Sequence, residues 1–327
     1  MADVAIAQNK NIRSAVYDAI HHLGGIESIV HPQDRVVIKP NLVFGLPPFT
    51  GFTTDPPVVQ AIVQLCQSMN PSEIVIAEGS GGIDTELAFR ISGYTELAES
   101  YGVKLVDLNE SPSMKVEVPD GQCVHELHVP QVILECDVLI NVPKLKLYRR
   151  IPGRSDWMSL AVKNLLGALP GRGEYSTTRP SGFSVEMSRE FWTTEGKYFH
   201  PAYQQWWSPS GEKKRIHRNL AQGLADVNLV IQPKLNLIDG IIVSKDVNMT
   251  HTKGETPFEL NTVLASRDPL ALDCVAARIA GLSPFEMEYL RHAAERGIGE
   301  SDSNKIQLHG TALEKIIETW QMEPDRL

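Results

Sequence analysis

Cysteine is scarce and scattered in this sequence. Cys66, Cys123, Cys136 and Cys274 are the four in 327 residues, and no two stand in a CxxC pair. Zinc ribbons, thioredoxin-type motifs and ferredoxin cluster loops therefore lack support, and no iron–sulfur cluster is expected in the chain. Four cysteines in a chain this long also exclude a disulfide scaffold and point to a reducing compartment. No apolar run approaches the roughly 18 residues that read as a membrane span. The start, Met1-Ala2-Asp3-Val4, has no basic region followed by an apolar stretch. A cytoplasmic protein without membrane contact is the expectation. Positive charge is in deficit, 31 Lys and Arg against 40 Asp and Glu for a net −9, which argues against general nucleic-acid binding because phosphate backbones require a basic footprint. HExxH and GxSxG are missing as well, so a zinc protease or a nucleophilic hydrolase has no positive support.

What is present reads as a folded α/β protein. Hydrophobic residues make up 42% and charged residues 22%, ordinary values for soluble domains, and the length suits about two lobes. Short β-branched runs alternate with stretches whose apolar residues recur at three and four. Residues 35–39, 73–77, 104–108, 137–142, 234–239 and 259–265 read as strands. Helices are expected around Val16, Ile20 and Leu23, and over residues 56–66, 157–166, 214–231, 268–280 and 284–295. Pro119-Asp120-Gly121 turns a hairpin between residues 114–118 and 124–129. The pattern predicts a mostly parallel, doubly wound, Rossmann-like sheet in two lobes, residues 1–169 and 214–327. Between them lies a long insertion, residues 170–213, crowded with aromatics such as Phe183, Phe191, Trp192, Tyr198, Phe199, Tyr203, Trp206 and Trp207. That insertion is either a lid over a ligand or part of the core.

In doubly wound sheets ligands bind outside the carboxyl ends of the strands, so strand exits hold the candidate residues. They are Lys39 and Asn41; Gly79, Ser80 and Gly81; Asn141, Lys144 and Lys146; and Asp239. The segment from Val142 to Arg218 is basic within an acidic chain, which suits either a solvated loop or a site for an anionic small molecule. Lys39 ends a strand that should be buried, so a carboxylate, Glu78 or Asp107, or a ligand must meet it. Glu78-Gly79-Ser80-Gly81-Gly82 is either a tight turn or an anion cradle, and matches neither GxGxxG nor GxxxxGKS. Asp55 either caps a helix or adjoins Thr53 and Thr54 hydroxyls that face a ligand. Lys163 and Asn164 interrupt an apolar helix, either as its solvated edge or as further ligand contacts. His217 and His251 stand apart from apolar patterns and are either surface histidines or candidates for proton transfer near neutral pH. A metal held by Asp and His is left open.

Taken in order, Val37-Ile38-Lys39-Pro40-Asn41, Thr53-Thr54-Asp55-Pro56, Glu78-Gly79-Ser80-Gly81-Gly82, Leu139-Ile140-Asn141-Val142-Pro143-Lys144-Leu145-Lys146, Lys163-Asn164-Leu165-Leu166-Gly167, Ile238-Asp239-Gly240 and Ser266-Arg267-Asp268-Pro269 resemble domain-of-unknown-function family 362 (DUF362). The resemblance spans about residues 35–310 and implies the α/β fold. Many relatives carry ferredoxin-like iron–sulfur modules, which implies redox chemistry in the family; this chain lacks those cysteines. It also carries Met249-Thr250-His251-Thr252-Lys253-Gly254 where relatives often have a Gly-Pro stretch. The expected function is an enzyme acting on an anionic small molecule, a carboxylate or phosphate. Lys39, Lys144, Lys146 and Lys163 would supply charge, Asn41, Asn141 and Asn164 would orient, and His217, Asp239 or Lys163 would move a proton. The alternatives are a noncatalytic small-molecule or cofactor-binding protein and a component of a redox complex.

Overall fold

The computed structural model describes residues 1–42, 46–81, 84–148, 158–171, 211–247 and 257–322. Twelve strands are found there: β1 (Ala2–Gln8), β2 (Arg35–Lys39), β3 (Glu73–Glu78), β4 (Lys104–Asp107), β5 (Ser113–Glu117), β6 (Glu126–Pro130), β7 (Val138–Asn141), β8 (Lys144–Tyr148), β9 (Met158–Ser159), β10 (Leu235–Val247), β11 (Phe258–Ser266) and β12 (Ile306–Gly310). Ten form one sheet in the order β12-β1-β11-β10-β7-β2-β3-β4, with β8 pairing β10 and β9 off that path. From β10 to β4 every neighbour is parallel, whereas β11 runs antiparallel to both β1 and β10. This is the expected α/β fold with a mostly parallel sheet. Strands from either side of the insertion interleave in that one sheet.

Strand periodicity divides the core between two faces. Val37, Val75 and Leu139 point into one buried cluster with the helices Leu220–Val230 and Pro269–Ile279. Val36, Ile38, Ile74, Ile76, Val138 and Ile140 point into the other, with the helices Ile12–His21 and Pro56–Gln67. Strands apolar on both sides are what a doubly covered parallel sheet requires. Chain order gives the sheet its functional edge: β2, β3 and β4 progress outward, then the chain returns to place β7 on the opposite side of β2. The switch point lies between β2 and β7, where Lys39 is in register with Asn141.

Several elements differ from the sequence reading. Residues 144–148 form strand β8 rather than an exit loop, and the alternation in Lys144-Leu145-Lys146-Leu147-Tyr148 explains why. Helix 157–166 is replaced by β9, one helical turn Ala161–Asn164 and a 3₁₀ turn Leu165–Ala168. The strand expected over 234–239 runs on past Asp239 as the continuous β10, with a bulge between Gly240 and Ile242. Strand β1, whose alanines carry little strand propensity, had no place in that reading. Most of the aromatic insertion, residues 172–210, lies outside the described residues, as does His251.

Candidate functional site

At the switch point the strand exits meet in a buried polar cluster. Lys39, Lys144 and Lys146 are 0%, 0% and 3% exposed, far below what lysine tolerates without compensation. Each finds a different solution. Lys39 Nζ donates to Glu78 Oε2 at 3.1 Å and to the Pro40 carbonyl at 3.0 Å. Glu78 also accepts from the backbone N–H groups of Leu42 at 3.1 Å and Gly79 at 2.8 Å. Burial pushes the Lys39 ammonium down, against the pull of Glu78. Gly167 roofs this pair so closely that a Cβ there would stand 2.7 Å from Glu78 Oε1 and 2.9 Å from Lys39 Nζ.

Lys144 is held by two carboxylates, Asp55 Oδ2 and Asp239 Oδ2, each at 2.9 Å. Asp239 further accepts from the Asp55 N–H at 2.7 Å and the Ile241 N–H at 2.9 Å. Burial opposes the Lys144 charge, but Asp239 and Asp55 outweigh it and hold the ammonium above its ordinary range. Asp55 is pushed up to about 6, by burial and then by Asp239, with Lys144 opposing. Asp55 does occupy the N-cap position of the helix Pro56–Gln67, yet its side chain makes no capping bond. The ion pair takes it instead.

Lys146 has no carboxylate bonded to it among the described residues. Its ammonium donates to Asn41 Oδ1 and, at 3.1 Å, to the Phe52 carbonyl. Burial first and the Lys163 charge second bring it down to about 7, with Glu78 opposing. An ammonium can only donate, so Asn41 must turn its oxygen toward Lys146. Asn41 Nδ2 then donates to Asn164 Oδ1, and Asn164 Nδ2 to Asn141 Oδ1, both at 2.8 Å; Asn141 Nδ2 reaches Asn236 Oδ1 at 2.9 Å. Two backbone carbonyls lock this sense, Pro40 accepting from Asn164 at 3.3 Å and Ala161 accepting from Asn141 at 3.0 Å. Four amides thus run in one direction from the lysine, and Asn236 Nδ2 at the far end is buried without an acceptor. Asn236 escaped the sequence reading. Its signal was its place in a buried strand, two residues before Ile238-Asp239-Gly240.

Lys163 sits on the helical turn Ala161–Asn164 with its Nζ 4.8 Å from the centre of the Tyr148 ring. That turn is fixed by Asp273, fully buried, whose oxygens accept from the N–H groups of Ala161 at 2.8 Å and Val162 at 3.0 Å. Burial pushes Asp273 up to about 8 despite those two bonds. Lys213, on the helix Gly211–Arg218, is 5% exposed and its ammonium makes no hydrogen bond among the described residues. Burial lowers it to about 8, with Glu78 opposing and Lys39 assisting.

Several of the remaining candidates take internal partners. Thr54 Oγ1 donates to the Val142 carbonyl at 2.8 Å and accepts from Asn41 N at 2.9 Å; Thr53 is buried and its hydroxyl makes no hydrogen bond among the described residues. In the glycine-rich turn, Gly79 N–H is taken by Glu78 and Ser80 N–H by Thr85 Oγ1 at 3.3 Å. Gly81 is described and Gly82 is not. His217 Nδ1 lies 2.7 Å from the Lys213 carbonyl of its own helix. Burial raises the Cys66 and Cys274 thiols to about 12. Among the described residues no three His, Cys, Asp or Glu side chains group as a metal site would need, and no helix is long and apolar enough to cross a membrane.

These features define a class: an α/β protein with a mostly parallel sheet, carrying a buried lysine and asparagine cluster at the switch point. The chain belongs to the family described as Domain of unknown function (DUF362), which matches residues 36–278. It is similar to the thylakoid-associated protein sll1697 of Synechocystis sp., 24% identical over 300 residues, covering 92% of this chain and 79% of that protein. Among solved structures it is similar to the lactate racemase apoprotein of Thermoanaerobacterium thermosaccharolyticum, with TM-score 0.43 and 15% identity over 85% of this chain and 57% of that one. A Thermotoga maritima protein gives TM-score 0.37 and 8% identity over 88% of this chain and 60% of that one. The chain therefore spans less than two thirds of either solved protein.

Proposed function

We propose that the protein is an enzyme acting on an anionic small molecule, a carboxylate or phosphate, gathered by Lys146, Lys163 and Lys213 at the carboxyl ends of the parallel strands. The observation that carries this reading is the uneven treatment of the buried lysines. Lys39 and Lys144 are neutralised by Glu78, Asp55 and Asp239, so they serve as scaffold. Lys146 and Lys213 have no carboxylate bonded to them among the described residues. Burying an ammonium without an anion is costly, and an anionic ligand repays that cost. Asn41, Asn141 and Asn164 spend their amides on one another, and so hold Lys146 in place rather than reach a ligand. Asp239 does the same for Lys144.

Native mass spectrometry of the freshly purified full chain, followed by thermal unfolding with inorganic phosphate and with pyruvate, tests the proposal. A retained anion, or stabilisation by either probe that Lys146→Met and Lys213→Met both abolish, is expected. Absence of a retained anion together with indifference to both probes would remove the anion site. Binding without turnover of any carbonyl or phosphoryl compound would leave a noncatalytic binding protein.

A further inference from the structure

We infer that Lys146 is an amine nucleophile, built to form an imine with the carbonyl carbon of an anionic aldehyde or ketone such as a 2-oxo acid. The inference rests on the anion site proposed above and assigns its chemistry. Nζ of a lysine has three positions beyond its carbon. Among the described residues, two are matched by acceptors, Asn41 Oδ1 and the Phe52 carbonyl at 3.1 Å. A neutral amine has two N–H donors and one lone pair. Two acceptors hold those two donors, and among the described residues no hydrogen-bond partner takes the third position, where the lone pair points. Neither Lys39 nor Lys144 has this arrangement, since each is bonded to carboxylate that demands the charged form.

The rest of the site serves the same end. Asn41 cannot rotate its amide without breaking the directional chain through Asn164 and Asn141, which Pro40 and Ala161 carbonyls pin. The amine is therefore oriented by a rigid partner, as an activated nucleophile requires. Burial first, and then the neighbouring cations Lys163, Lys144 and Lys39, disfavour the ammonium against the pull of Glu78. With burial they bring Lys146 to about 7, so a substantial fraction is free amine at neutral pH.

The step balances without a further reagent. The Nζ lone pair forms the C–N bond, the carbonyl π pair moves to oxygen, and that oxygen takes one proton from the nitrogen. The carbinolamine then expels its hydroxyl, which leaves as water with the second amine hydrogen as the C=N bond forms. The imine makes the adjacent carbon acidic, so proton transfer, carbon–carbon cleavage or decarboxylation at that carbon is the class of reaction it opens.

Reductive trapping decides the matter. The full chain is incubated at neutral pH with sodium cyanoborohydride and, separately, pyruvate, glyceraldehyde 3-phosphate or pyridoxal 5′-phosphate, and every lysine is scored by peptide mass spectrometry. Lys146 is expected to acquire the reduced adduct at least ~10-fold faster than exposed Lys115 and Lys305 with at least one probe. Lys146→Arg, which keeps a cation but has no amine to form an imine, should abolish that adduct while Lys115 and Lys305 react as in the wild type. Should Lys146 stay unmodified with all three probes while Lys115 and Lys305 react, the inference is overturned. If phosphate still stabilises the wild type in that case, the anion site survives and only its imine chemistry is lost; if phosphate does nothing, both readings fall.

Discussion

Lys144→Met is the sharpest test of how this site is built. The substitution keeps the length of the side chain and removes its charge, leaving Asp55 and Asp239 side by side in the buried interior without their cation. Leaving one side of a buried ion pair alone costs about 3–5 kcal/mol. The ceiling follows from titration. Instead of staying charged, Asp55 takes up a proton; at about 1.4 kcal/mol per unit, neutralising a carboxyl of ordinary 3.8 at pH 7 costs about 4 kcal/mol, of which the wild type, with Asp55 at about 6, already carries about 3, so protonation caps the share that Asp55 adds at about 1.4 kcal/mol. Asp55 already stands at about 6 with Lys144 present, and the variant drives it higher. A carboxyl whose folded value is raised binds more protons folded than unfolded. Its penalty therefore grows as pH rises above the unfolded value and shrinks on acidification. At pH 5 Asp55 is already mostly protonated in the wild type, so the same reasoning leaves almost none of that added share. Urea unfolding at pH 5, 6 and 7, followed by circular dichroism, reads this directly against a total stability of about 5–15 kcal/mol. Adding Asp55→Asn to Lys144→Met should recover most of the loss at pH 7. A penalty below about 1 kcal/mol at pH 7, or one that does not shrink toward pH 5, would refute the view that Lys144 is a buried structural counter-charge.

Two further outcomes follow from the same neighbourhood. Gly167→Ala should destabilise by about 1–3 kcal/mol, because its Cβ enters within 2.9 Å of the Lys39–Glu78 pair and Glu78 is tied to two backbone N–H groups; a neutral effect in urea unfolding would mean the pair shifts freely. Asp273 stands at about 8 against an ordinary 3.8, so its share of the stability is full below about pH 4 and is lost up to pH 8, at about 1.4 kcal/mol per pH unit. Asp273→Asn should remove that slope, and identical pH dependences for variant and wild type would contradict it.

The α/β alternation was legible because its signals are local. Runs such as Val36-Val37-Ile38 and Val138-Leu139-Ile140 need apolar surroundings on both faces, and the helix of residues 56–67 announces itself through Pro56, Pro57 and its apolar stripe. Much of the buried polar cluster was legible as a set of strand-exit residues, since polar side chains at the ends of apolar strands stand out, though Asn236 was not among them. Their division of labour was not. Nothing local distinguishes Lys39, Lys144 and Lys146, because which lysine meets Glu78, which meets Asp55 and Asp239, and which meets only an amide depends on contacts 39 to 105 residues apart.

Sequence by itself determined the secondary-structure periods, the parallel sheet and the concentration of polar groups at strand exits, all consequences of burial acting on neighbouring residues. Tertiary structure alone decided that Asp55 turns from its helix to Lys144, and that Asn41, Asn164, Asn141 and Asn236 join in one direction. It alone decided that Lys146 keeps no carboxylate among the described residues. The physical reason is that a buried charge or amide is satisfied by whatever the packed fold brings within about 3 Å, and loop closure over a hundred residues leaves no trace in local composition.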